Sequence, residues 1–264
     1  MELTRSDRIQ GAVQGLLAGD KIGGPSRMAL ELAEGLIESG RYDAIDIVRR
    51  YKAWYDKEGF DTGKIAGMVL RRMSTMSNES AVMDVDDYVG GRTAGCNPVH
   101  RALPLALVRF VDDSALTEIA NSEARLTHRH PMAGAVSGAY LKILRELING
   151  STENVLDIAL ETSPVDFRQY LEDQWCNPPS RGGYAPEVLR AALHFTNTAI
   201  SFDDALESAV GFAGPENYCP VLVGALAGAK WGDESVSPAH LSHCNSALLQ
   251  RAVETADLLN RLFI

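Results

Sequence analysis

The feature that most constrains this chain is the stretch 211–232, G-F-A-G-P-E-N-Y-C-P-V-L-V-G-A-L-A-G-A-K-W-G. It opens as a turn-rich loop and continues as a segment that is apolar on every side and built from small residues. A helix apolar all round is a buried helix. Gly224 and Gly228, four apart and flanked by Ala225, Ala227 and Ala229, let a neighbouring backbone come close. Pro220 suits the first turn, where its missing N–H costs nothing. The segment is too short to span a membrane and runs quickly into Lys230 and Asp233. The pattern therefore predicts a central buried helix whose N-terminus, carrying Glu216 and Asn217, points at the functional site.

The rest of the chain reads as helices around it. An amphipathic pattern over 8–19 puts Ile9, Val13, Leu16 and Leu17 on one face and Gly11, Gly15 and Gly19 on another. Further helical patterns cover 27–39, ended by Gly40, and a segment carrying Val48, Tyr51 and Trp54 that Asp43 or Asp46 would cap. Others cover 65–73, 114–127, 132–148, 152–160, 165–171, 187–198, 202–210 and 237–260. The stretch 74–91 is polar and loop-like, and 104–110 is short and apolar. No alternating run reaches the usual strand length of about 5–6 residues. No linker, charge block or repeat divides the 264 residues, so a single all-α helical bundle spanning 1–264 is expected.

Composition narrows the partners. A formal charge of −10 disfavours a phosphate-backbone binder, so no nucleic-acid partner is expected, and no membrane contact either. The first residues contain no apolar leader segment, and the four cysteines form no C-x-x-C pair. Both point to reduced thiols and a cytoplasmic protein. Nothing in the sequence sets an oligomeric state.

Polar punctuation falls in six loops, 19–26, 59–64, 90–101, 127–131, 180–184 and 214–219, and a site in an all-α domain forms where such loops and helix ends converge. On these motifs the chain resembles the ADP-ribosylglycohydrolase family, which includes the dinitrogenase-reductase-activating glycohydrolase. G-A-V-Q-G-L-L-A-G-D-K-I-G-G-P is similar to the family's opening helix and G-D loop. G-F-D-T-G resembles F-D-x-G-N-T-T, T-H-R-H-P resembles T-H-x-H-P, and R-G-G-Y-A-P-E-V-L-R-A-A-L resembles the glycine–tyrosine loop lining the ADP-ribose pocket. M-A-L-E-L-A-E-G-L and G-A-L-A-G-A-K-W-G are similar to the helices that follow the family's two aspartate motifs.

The departures concern metal. The resemblance implies two divalent ions, usually Mg²⁺ or Mn²⁺, held by T-D-D-T and D-x-D-T. Here Gly23, Gly24, Pro25, Ser26 and Arg27 precede Met28, and Pro215, Glu216, Asn217 and Tyr218 stand in place of D-x-D-T. Cys96, Asn97, Pro98 and His100 replace other family residues beside the retained Gly95 and Arg101. Hard cations need several oxygen ligands, so no metal and no cofactor is expected.

Asp61 is the leading catalytic candidate, as general base to a water or as the charge beside ribosyl C1′. Its plainer reading is a cap for the helix beginning at Lys64 or Ile65. Glu216 is the second acid, with a first-turn acidic residue as the alternative. Substrate contacts are expected from Asp20, Lys64, Cys96, Asn97, His100, His128, Gly182, Gly183, Tyr184 and Asn217. The Gly182-Gly183-Tyr184 loop suits close backbone approach and base stacking, though Tyr184 as a core anchor stays open. The expected function is metal-independent hydrolysis of an N-glycosidic bond in an ADP-ribosyl or other ribosyl substrate, small or protein-linked. A catalytically inactive nucleotide-binding protein and a structural protein reusing the scaffold are the alternatives.

Overall fold

The computed structural model describes residues 2–177, 179–214 and 218–263. Its order is α1 (Arg5–Gly19), α2 (Gly24–Ser39), α3 (Ala44–Lys57), α4 (Lys64–Arg72), α5 (Asn78–Tyr88) and α6 (Asn97–Arg101). Then follow α7 (Leu116–Ala124), α8 (Pro131–Ile148), α9 (Val155–Thr162), α10 (Val165–Gln174), α11 (Ala185–Thr198) and α12 (Phe202–Ala213). The chain closes with α13 (Cys219–Trp231) and α14 (Ser246–Leu262). No strand occurs among the described residues; the sole ladder-like pairing there is an isolated antiparallel bridge between Gly95 and Tyr184. No helix among them is long and apolar enough to cross a membrane.

The antiparallel pair α1 and α13 forms the axis. Gly11, Gly15 and Gly19 of α1 lie against Gly228, Gly224 and Pro220 of α13, backbone on backbone. A Cβ placed on Gly15 would sit 2.0 Å from the Gly224 carbonyl oxygen, and one on Gly224 would sit 1.9 Å from that of Gly15. Both glycine series predicted from sequence are thus the two halves of one contact. Around this axis one continuous apolar core runs from Ile9 to Phe263 and takes in Leu32, Tyr51, Tyr140, Leu189 and Leu226.

Local chemistry explains the helix ends. Thr4 and Asp7 form a reciprocal capping box on α1. Asp43, not Asp46, caps α3, accepting from the amides of Ile45 and Asp46. Gly40 ends α2 in the left-handed conformation, φ 62°.

Two expectations fail. The stretch 74–91 is not a loop, because it contains α5, capped by Ser77. That helix buries Ala81, Val82 and Val85 against Val69 in a small apolar cluster of its own. Three apolar positions among acids gave too faint a periodicity to read. The pattern over 237–260 is likewise not one helix. A 3₁₀ turn at Pro238–Leu241 precedes α14, whose start is fixed by the Asn245 side chain accepting from the Leu248 amide at 2.8 Å.

Candidate functional site

The α1–α13 contact brings the C-terminal end of α1 beside the N-terminal end of α13, and a cavity of about 340 Å³ opens next to that junction. All six polar loops contribute to its wall: Pro25, then Asp61, Gly63 and Lys64, then Gly95, Cys96 and Asn97, then His128, Gly183 and Tyr218. Ile65 completes the lining. The first turns of α2, α4 and α13 border it, so helix dipoles and Lys64 give the cavity a character suited to an anionic ligand.

Close backbone approach holds the rim together. A Cβ on Gly24 would lie 2.3 Å from the Asp61 carbonyl oxygen, and one on Gly63 would lie 2.2 Å from Asn97 Oδ1. The Gly95–Tyr184 bridge ties two more loops through Cys96 N–H to Gly183 O (3.2 Å) and Ala185 N–H to Ala94 O (2.9 Å). The Glu187 carboxylate then fastens the second of these to α11, accepting from Ser180 N–H at 2.8 Å and Arg190 Nη2 at 2.7 Å.

Asp61 adopts φ 49°, the one positive value among described non-glycine residues. Such a conformation persists only where the surroundings enforce it, and it recurs at functional sites. Its Oδ1 accepts from the Tyr218 hydroxyl at 2.9 Å, while Oδ2 is buried without a hydrogen-bond partner among the described residues. Burial raises the Asp61 pKa above the usual carboxylate range. The Tyr218 hydrogen bond lowers it, the Asp20 charge raises it and the Gly24 amide lowers it. Burial and the bond to Asp61 together push Tyr218 up to about 12.

Behind the cavity lies a buried polar chain. Arg101 and Glu123, both fully buried, pair at 2.6 Å, and the Tyr51 hydroxyl donates to the same Glu123 oxygen at 2.8 Å. Arg101 Nη2 donates to Thr127 Oγ1 at 2.9 Å, and Thr127 Oγ1 lies 2.8 Å from His128 Nδ1. His128 Nε2, on the side of the cavity-lining Gly95, is buried with no partner among the described residues. Burial first, then Arg101 and His100, hold the His128 pKa well below its ordinary value. His100 is neutral for the same reasons, lowered to about 3 by burial and Arg101.

Asp61, Lys64, Cys96, Asn97, His128 and Gly183 line the cavity. Asp20 does not. Its Oδ1 accepts from Gly23 N–H at 2.9 Å and its Oδ2 from Ser26 N–H and Oγ–H, both at 2.7 Å, so it caps the start of α2. His100 stands behind the wall, its ring 5.7 Å from that of Tyr218. Tyr184 lies at the rim, 40% exposed, edge-on to Tyr170 at 6.1 Å, which leaves a face for stacking. A Cβ on Gly182 would meet no atom of the described residues beyond its chain neighbours within 4 Å. The Cys96 thiol is pushed up to about 12 by burial, which leaves no thiolate for nucleophilic attack. Glu216 and Asn217 lie outside the described residues.

Sequence reading missed Tyr218, Thr127 and Glu123. Tyr218 had a signal, since it stands at the entrance to the central helix where the family motif carries acids. Glu123 gave none, being one acid among many until folding buries it against Arg101.

A larger groove of about 500 Å³ runs between α2, α3 and α14, but its charges are already paired. Arg251 binds Glu31 and Glu34 at 2.8 and 2.6 Å, and Arg27 binds Glu58 at 3.4 Å. The cavity at Asp61 is lined by two titratable side chains with a buried polar atom unpartnered among the described residues, Asp61 Oδ2 and His128 Nε2, and it is the candidate site.

Comparison with known proteins gives the family of the chain. The chain is 24% identical over 217 residues to the ADP-ribosyl-(dinitrogen reductase) glycohydrolase of Rhodospirillum rubrum, covering 82% of this chain and 71% of that one. It is 23% identical over 269 residues to the ADP-ribosylarginine hydrolase Tri1 of Serratia proteamaculans (strain 568), covering 87% and 73%. A solved structure described as an ADP-ribosylglycohydrolase-related protein complex superposes with a TM-score of 0.79 at 24% identity, over 98% of this chain and 99% of that one. The family model for ADP-ribosylglycohydrolase matches residues 1–263, and the chain belongs to that family.

Proposed function

We propose that this protein hydrolyses the N-glycosidic bond of an ADP-ribosylated side chain, with arginine as the favoured acceptor, and that Asp61 is its catalytic carboxylate. The observation that carries this is Asp61 itself: a strained, half-buried carboxylate with one oxygen anchored by Tyr218 and the other unpartnered among the described residues. Water attacks ribosyl C1′ as the C1′–N bond breaks. Asp61 takes the proton from the water, and the guanidine nitrogen leaves with a proton supplied to it. A pKa raised by burial suits a general base. Glu216, two residues before Tyr218 in sequence, is proposed as the acid that serves the leaving group. The border of helix N-termini with Lys64 suits the diphosphate, and the Tyr184 rim suits the adenine.

The reading is metal-independent. Two Mg²⁺ or Mn²⁺ ions need many oxygen ligands. Both Asp20 oxygens accept from Gly23 and Ser26, and of these two carboxylates Asp61 Oδ2 alone lacks a partner among the described residues. Among the described residues no group of three His, Cys, Asp or Glu side chains is placed to hold an ion.

The test is release of free ADP-ribose from an ADP-ribosylarginine peptide, followed by chromatography with EDTA and with added Mg²⁺ or Mn²⁺. Equal rates in all three, lost in Asp61→Asn, support the proposal. Turnover only with metal would overturn its metal-independent half, and full activity of Asp61→Asn would overturn the assignment of Asp61.

A further inference from the structure

The chain Glu123–Arg101–Thr127–His128 allows only one arrangement of protons. A guanidinium donates and never accepts, so Thr127 Oγ1 must accept from Arg101 Nη2. Thr127 is buried, and its own hydroxyl proton has one acceptor in reach among the described residues, His128 Nδ1 at 2.8 Å. Were the proton on Nδ1 instead, the threonine would accept twice, and both its hydroxyl proton and the Nε2 lone pair would go unpaired among the described residues, against the Nε2–H alone in the other tautomer. Each buried unpaired group costs about 1–3 kcal/mol, so one group fewer decides between two tautomers of similar energy. Nδ1 is therefore the acceptor, and a neutral imidazole then carries its proton on Nε2.

Nε2 lies on the side of Gly95, another residue of the cavity wall, 3.2 Å from where a Cβ there would stand, and it is buried and unpartnered among the described residues. We propose that Arg101 and Thr127 are positioning residues that lock His128 into the Nε2–H tautomer, making it a fixed hydrogen-bond donor to an acceptor oxygen of the ligand. Glu123 and Tyr51 hold the guanidinium in place from the far side. The donor selects by chemistry. A phosphate, ribose-ring or hydroxyl oxygen satisfies it, whereas a guanidinium or amine placed there would set donor against donor. It thus turns the oxygen-rich end of the substrate toward His128 and the cationic acceptor group away from it. His128 itself moves no proton in this scheme.

The inference rests on the proposed function only in taking the cavity to hold a ribosyl ligand; the tautomer is independent of it. Long-range ¹H–¹⁵N correlation spectra of protein labelled at histidine nitrogen distinguish the two neutral tautomers, and His128→Gln identifies the resonance. The expected result is a protonated Nε2 and an unprotonated Nδ1 in the wild type without ligand. Thr127→Val should abolish that preference and weaken ADP-ribose binding about tenfold, the worth of one good hydrogen bond. Thr127→Ser should restore both. A proton on Nδ1 in the wild type, which needs no variant to fold, overturns the proposal, as does an unchanged tautomer in a folded Thr127→Val protein. If the tautomer is as stated but ADP-ribose does not bind, the donor assignment stands and the ribosyl reading of the cavity falls.

Discussion

Tyr218 and Asp61, 157 residues apart in sequence, share a hydrogen bond of 2.9 Å that joins the entrance of the central helix to the loop before α4. The bond favours the ionised carboxylate, in opposition to the burial that raises its pKa. Tyr218→Phe removes the donor while keeping the ring, so the Asp61 pKa should rise further. If Asp61 acts as a base, the acidic limb of the kcat/KM profile should then move to higher pH. Turnover at neutral pH should fall by about tenfold or less. An unmoved limb would show that this carboxylate does not set the profile.

Asp61→Asn should reduce turnover by about 10²–10⁴-fold while ADP-ribose affinity persists, because the amide keeps the shape and tolerates a positive φ. Stability should change in the opposite sense. An acid whose pKa is raised on folding stabilises the native state below its unfolded pKa of about 3.9 and loses that contribution as pH rises through the raised value. The asparagine variant escapes that loss. Thermal melts should therefore show its Tm gaining on the wild type at pH 8 relative to pH 4.

Glu123→Ala leaves the Arg101 charge fully buried without its partner and should cost about 3–5 kcal/mol. Urea denaturation measures this directly. Replacing both residues together by leucine or methionine should cost less than the single change, since no charge is left stranded.

Gly224→Ala would drive a Cβ to 1.9 Å from the Gly15 carbonyl oxygen, with backbone on both sides and nothing to yield. It should abolish soluble expression or lower the Tm by more than 10 °C, beyond the roughly 2–4 °C expected per kcal/mol in a domain this size. Gly211→Ala is the matched control. It sits near the end of α12, where the added methyl meets nothing within 4 Å among the described residues outside its own helix turn, and should stabilise by about 0.5–1 kcal/mol through helix propensity.

Much of this architecture was legible because it depends on residue size and period. Gly11, Gly15 and Gly19 repeat every four residues, as do Gly224 and Gly228, and nothing but a helix-on-helix contact uses that spacing twice. The six loops that line the cavity announced themselves by glycine and proline. What could not be read were relationships that exist only after packing. Asp20 looked like a pocket-facing acid, yet folding sets two amides and a hydroxyl around its oxygens. Arg101 and Glu123 are ordinary charges in sequence, and only three-dimensional burial makes them the support of His128. The loop before α13 is where sequence placed Glu216 and Asn217, and their roles rest on sequence and on the substitutions that test them.

The α1–α13 contact also sets an order of disassembly. Helices whose backbones touch at three successive levels, from Gly11 to Gly19, expose their amides only when the whole core opens, so they should be among the slowest to exchange hydrogen for deuterium. The rim of the cavity is made differently, from loops joined by the Gly95–Tyr184 bridge and a few side chains, and should open more readily than the core. Warming or mild denaturant should therefore loosen the Gly95–Tyr184 rim first, while the floor that carries Tyr218 keeps its shape until the protein unfolds entirely.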